Sequence, residues 1–192
     1  MKFAAVFSSL LVAASAAVIP RDNGLDTFTL QAQKVAPKPL PSFGDLQWLG
    51  SGIQSVGGPL GWFNSTHTQL KVFIQYNATE GIAFDSTQTA RTVYLRPEGE
   101  DGLSEAVLGN PDMEANADQM RSTNFTINPT MVNPGETHYL FGYLKQYFHA
   151  WTACPSTEGD GWQLYFGKRN GGSKRGCTDP FSLEVFYTSG KQ

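Results

Sequence analysis

The sequence predicts an all-β fold: a single-domain β-sandwich or β-barrel, with a β-trefoil as the alternative, at most one short helix and one disulfide. Several short segments alternate apolar with polar residues, the period of a half-buried strand. Turns rich in Gly, Pro and Asn separate them, and only one segment carries the signals of a helix.

The chain opens with a short basic start, "MK", an apolar run, "FAAVFSSLLVAASAA", and the small-residue step Ala14-Ser15-Ala16. That is the layout of a secretory signal peptide over residues 1–16. The run is too short for a preferred membrane span, and no later segment approaches about 20 continuous apolar residues. The tail "LEVFYTSGKQ" ends polar, without the long apolar terminus of a lipid-anchor signal. The expected product is secreted, extracellular or held in a cell wall, with no membrane span. Residues 17–26 form a short leader, and residues 27–192 are long enough to bury one sizeable core.

In "DTFTLQAQK", Phe28, Leu30 and Ala32 alternate with Thr27, Thr29, Gln31 and Gln33, which predicts the first strand. Pro37, Pro39 and Pro41 then exclude a central strand and favour an extended connection. "TQLKVFIQY" sets Leu70, Val72 and Ile74 on one face, and "RTVYLR" does the same with Val93 and Leu95. Further strands are expected at 138–144, 146–153, 161–167 and 181–187. The helix signal is "NPDMEANADQMRS": Asn110 can cap, Pro111 fits the first turn, acids come early and Arg121 late.

The chain carries a formal net charge of −3, and loss of Lys2 with the signal peptide makes it one unit more negative. A mildly acidic chain makes a poor nucleic-acid binder, so no nucleic-acid partner is expected. The only two cysteines are Cys154 and Cys177. In an oxidising compartment such a pair is most simply a disulfide, and no Cys-x-x-Cys redox spacing is present. Three sequons, at Asn64, Asn77 and Asn124, are N-glycan acceptors in a secreted chain.

The sequence lacks a Gly-x-Ser-x-Gly elbow and a Ser-x-x-Lys pair, and its histidines, His67, His138 and His149, form no His-Glu-x-x-His motif. Strand alternation places His149 on one face with Tyr147, Trp151 and Ala153, as a structural histidine rather than a base. The densest carboxylates, Glu98, Glu100, Asp101 and Glu105 in "RPEGEDGLSE", sit among glycines and read as a solvated turn. A glycosidase needs one carboxyl in an apolar pocket, and this loop supplies none. The loop also departs from the calcium pattern. No enzyme activity, cofactor or metal is expected. Lys168-Arg169 and Lys174-Arg175 bracket "NGGS" and read as a hairpin tip, with proteolytic processing as the alternative.

A sugar-binding surface would need exposed aromatic rings, since pyranose faces stack on them. Trp62, in the loop-like setting "GPLGWFNST", and Trp48 are the candidates, with cell-wall polysaccharide as the partner. Trp151 and Trp162 flank the cysteines and read as core.

The order "FTLQA" after a signal peptide, then "TACP" at Thr152–Pro155, "GWQLY" at Gly161–Tyr165 and "GC" at Gly176–Cys177 before "FSL" resembles small secreted fungal cell-wall proteins of the PhiA-like group. The middle of the chain lacks that group's Arg-Ser-Gly-Met-Gly run. The resemblance implies a wall- or conidium-associated glycoprotein without catalytic residues, tied to spore-forming development, in a group that includes allergens. It carries over Cys154 and Cys177 as a disulfide and Trp162 as a packing residue. The expected function is therefore structural or developmental, with a carbohydrate-binding wall module or a secreted effector as alternatives.

Overall fold

The structure is a computed structural model and describes residues 27–33, 43, 48–51, 58–64, 68–73, 92–98, 102–156, 161–167 and 176–189. The expected signal peptide and leader, most of the proline-rich connection, His67, Asn77, Glu100, Asp101 and both dibasic steps lie outside these residues.

The first alternating segment is strand β1 (Thr27–Gln33), with Phe28 and Leu30 buried as its spacing predicts. It is followed by β2 (Gly50–Ser51), β3 (Gly58–Phe63), β4 (Thr68–Gln69) and β5 (Val72–Phe73). A hairpin pairs β6 (Thr92–Glu98) with β7 (Leu103–Gly109). Then come β8 (Phe125–Asn133), β9 (Glu136–Tyr143), β10 (Trp151–Pro155), β11 (Gly161–Phe166) and β12 (Ser182–Ser189).

These strands build two sheets that curl into a half-barrel or sandwich. The first has the order β5-β1-β12-β9-β8, and the second β10-β11-β7-β3-β2-β4 with β6 also on β7. The core lies between them, with Leu30, Phe141 and Leu183 from the first sheet meeting Leu95, Leu108 and Leu164 from the second.

Three strands of the second sheet share edges. β11 pairs with β7 through Tyr165 and Phe166 and with β3 through Gly161–Gln163, while β3 reaches β7 through Gly58 and Pro59. The backbones of β3 and β11 approach closely there. A Cβ on Gly61 would lie 2.0 Å from the Trp162 carbonyl oxygen, and one on Gly161 would lie 2.3 Å from that of Trp62. Gly61, one of the glycines that make "GPLGWF" look like a loop, is thus what lets this strand pack on β11.

The helix-signal segment makes two 3-10 turns, Pro111–Met113 and Ala117–Gln119, instead of one helix. Asn110 caps the first, its side chain accepting the Asp112 N–H at 3.1 Å. Neither turn buries a residue, so no apolar face is present to stabilise a longer helix.

The expected strand over 146–153 begins only at Trp151. Before it, Leu144 and Lys145 form a tight turn at φ 48° and 62°, closed by paired Tyr143 and Gln146 backbone hydrogen bonds of 2.9 and 3.0 Å. Both central residues have the positive φ of the hairpin turns that Asn-Gly usually makes, so the sequence carried no turn signal. His149, at φ 47°, is exposed on the connection and does not share a strand face with Trp151.

Cys154 and Cys177 are joined in a disulfide. The segment after Cys177 runs beside β10: the Thr178 N–H donates to the Ala153 carbonyl at 2.8 Å, and Trp151 and Phe181 exchange backbone bonds of 3.1 and 2.7 Å. The chain then enters β12 in the other sheet, so the disulfide fastens the corner where the two sheets connect.

Candidate functional site

The hairpin of β6 and β7 sets Arg96 directly opposite Glu105. Residues 93 and 95 face the core, so Tyr94 and Arg96 point to the other side of the sheet with Glu105 and Gln163. Arg96 donates to Glu105 Oε2 from Nε at 2.8 Å and from Nη2 at 2.6 Å. Its Nη1 lies 3.5 Å from both Glu114 oxygens, while Tyr94 donates to Glu114 and Gln163 donates to Glu105. Glu105 is only 4% exposed, which corrects the expectation of a solvated turn: the turn ends at Leu103, and Glu105 is inside a strand buried along its whole length. Burial, then the bond to Glu114, pushes the Tyr94 hydroxyl well above its usual pKa, so it remains a donor.

Two carboxylates near one another suggest sugar hydrolysis, yet that chemistry needs them on opposite sides of a bound sugar with one of them neutral. Here Arg96 bridges Glu105 and Glu114, so both carboxylates are engaged by one cation rather than set across a sugar. The cluster acts as a polar lock between the β6–β7 hairpin, β11 and the 3-10 segment. Arg96→Met is expected to cost about 2–3 kcal/mol, below the usual figure for a broken buried pair because the Arg96 side chain is 34% exposed. Urea denaturation of Arg96→Met and of Arg96→Met with Glu105→Met checks this: the double variant should recover most of the loss, and equal losses in both would show that the ion pair is not the cause.

A second cluster crosses the outer face of the first sheet. His138 on β9 hydrogen-bonds through Nδ1 to Glu184 on β12, its Nε2 lies 3.1 Å from Glu136 Oε1, and Gln33 Nε2 on β1 sits 3.4 Å from Nδ1. The bond to Glu184, with the charges on both carboxylates, holds the His138 pKa above its ordinary value despite burial. A raised folded-state pKa stabilises the fold fully below the unfolded value of about 6.5, and that contribution is lost as pH rises through the folded value. The melting temperature should therefore fall as pH rises from about 6 to 9 by an increment that His138→Gln abolishes. An unchanged pH dependence in that variant would count against the pairing.

Of the two sugar-stacking candidates, one is buried and the other partly covered. Trp62 is 1% exposed and stacks on Phe43 at 4.1 Å, which corrects the reading of "GPLGWFNST" as a loop platform: β3 is an inner strand, and its ring points into the core. Trp48 is half-buried, its ring set edgewise against Phe186 at 5.3 Å. Trp162 packs against the core beside Phe43. Asn64 and Asn124 are exposed, just after β3 and just before β8.

The connection between β9 and β10 forms an open cleft of about 550 Å³, lined by Lys145–Ala150 and Gly167. It is held from several sides. The His149 N–H donates to Ser182 Oγ at 3.2 Å, its Nδ1 lies 3.1 Å from the Pro180 carbonyl, and the Gly167 N–H donates to the Ala150 carbonyl at 2.8 Å. Gly142 lets the connection fold back: a Cβ there would lie 2.3 Å from the Gln146 carbonyl oxygen. Among the described residues every non-glycine with positive φ, Asn124, Leu144, Lys145 and His149, lies at this corner, where the Leu144 N–H donates to the Asn124 carbonyl at 3.0 Å. Such backbone strain persists only where surrounding structure enforces it. Sequence reading missed this site, and its only signal was the aromatic run Tyr147-Phe148-His149.

The class that fold and chemistry define is a disulfide-bonded, two-sheet β protein with two clusters of charged side chains that link its strands. No protein-family model, curated protein or solved structure matches the chain.

Proposed function

We propose that the protein is a secreted, non-catalytic surface glycoprotein, a structural or developmental component of a fungal cell wall of the kind the PhiA-like resemblance implies. The observation that carries this reading is the Cys154–Cys177 disulfide at the junction of the two sheets, which is at home in an oxidising compartment. The exposed positions of Asn64 and Asn124 support it, since an acceptor asparagine must face solvent to carry a glycan. So does the use of the Arg96–Glu105 pair as a lock between strands.

The test is to express the full chain in a filamentous fungus with an internal tag and to fractionate wall from medium. Wall-bound protein whose mass falls on N-glycan removal is the expected result. An intracellular, unglycosylated product would overturn the proposal, and release into the medium alone would favour an effector role. The β9–β10 cleft favours one second reading, a wall module that binds polysaccharide.

A further inference from the structure

We propose that the cleft between β9 and β10 is a saccharide-binding site. The inference deepens the second reading above and does not depend on where the protein is deployed. Volume comes first: about 550 Å³ falls within the roughly 300–1,000 Å³ of small-ligand sites. The lining has the composition that sugar recognition needs. Tyr147 and Phe148 lie with ring centroids 5.0 Å apart at 43°, and Phe148 is 46% exposed, an apolar face left in water beside the cleft. Pyranose C–H faces stack on such rings, while the sugar hydroxyls can bond the polar groups beside them.

Those groups are Gln146, Lys145 and His149. The Gln146 amide offers both donor and acceptor, and Lys145 offers donors only. His149 is orientated by its partner: the Pro180 carbonyl can only accept, so in the neutral ring Nδ1 carries the proton and Nε2 is left as an acceptor. The set thus mixes donors with acceptors, as hydroxyls require, and among the described residues no carboxylate lines the cleft to act on a glycosidic bond. Binding without hydrolysis is the chemistry it supports. The two anchors on His149 and the close approach at Gly142 hold the rim before any ligand arrives, which lowers the ordering cost of binding.

The test titrates the enzymatically deglycosylated mature chain with chitohexaose, laminarihexaose and mannohexaose, followed by amide shifts in heteronuclear NMR and by calorimetry. At least one oligosaccharide should shift the amides of 145–150 and 167. Phe148→Ala should weaken binding about tenfold and Gln146→Ala by less, with melting temperatures near that of the parent because both side chains are on an exposed connection. Absence of binding to all three sugars would overturn the proposal, as would shifts elsewhere with 145–150 silent, or an affinity unchanged in Phe148→Ala. Wall fractionation as above reports separately on deployment, so a soluble protein that binds sugar and a wall protein that does not are distinguishable outcomes.

Discussion

Trp151→Ala is expected to lower the unfolding free energy by about 3–5 kcal/mol, the range for emptying a buried indole site. Trp151 has no solvent exposure and stands where the sheets meet: its ring stacks on Phe141 at 5.5 Å and receives the edge of Phe166 at 5.2 Å. Its Nε1–H donates to the Phe141 carbonyl at 2.9 Å. Removal opens a cavity that rings from both sheets line, and they can collapse into it only by shifting strands. It also strands the Phe141 carbonyl without that donor. Trp151→Phe separates the two effects, because it retains most of the packing and loses the hydrogen bond, for about 1–3 kcal/mol. Urea denaturation of both variants checks the order, and a loss in Trp151→Ala no larger than in Trp151→Phe would place the weight on the hydrogen bond rather than on the core.

Cys154→Ala should cost about 3 kcal/mol, the chain-entropy value for a loop of this length, given the separation of 23 residues between the cysteines. The bond also has a local role: it holds Cys177 where Thr178 and Phe181 can hydrogen-bond along β10 before the chain crosses to β12. The effect lies largely in the unfolded state, so wild-type protein in reductant should match Cys154→Ala in its urea midpoint. The slope against urea should steepen slightly in both, as the released unfolded chain exposes more surface. A melting temperature equal to that of the oxidised parent would show that the bond contributes nothing to the fold.

Much of the architecture was legible where local pattern and burial agree. Phe28 and Leu30, and later Leu70 and Val72, are buried as their two-residue period indicates. The misreadings share a cause. In "GPLGWFNST" the glycines resemble a turn, yet Gly61 is needed because β11, a hundred residues later in the chain, crosses within 2.0 Å of where its Cβ would be. In "RPEGEDGLSE" the charges conceal the start of a buried strand. One signal was available there, since Arg96 and Glu105 are opposite charges equidistant from a glycine-flanked acidic turn, which is the register of a hairpin pair. The turn at Leu144-Lys145 had no such signal, because neither residue type favours positive φ, and so His149 was assigned to the wrong element.

By itself the sequence determined the all-β class, the faces of the strands with clean alternation, and the cysteine pairing, since two cysteines in one chain permit a single intramolecular bond. Only the tertiary structure decided that Trp62 is core, that Glu105 is buried against Arg96, and that Lys145–Ala150 line a cleft. Alternation reports which residues share a face of a strand. Whether that face is covered depends on a second sheet or a returning segment from far along the chain, and no short-range period encodes its arrival.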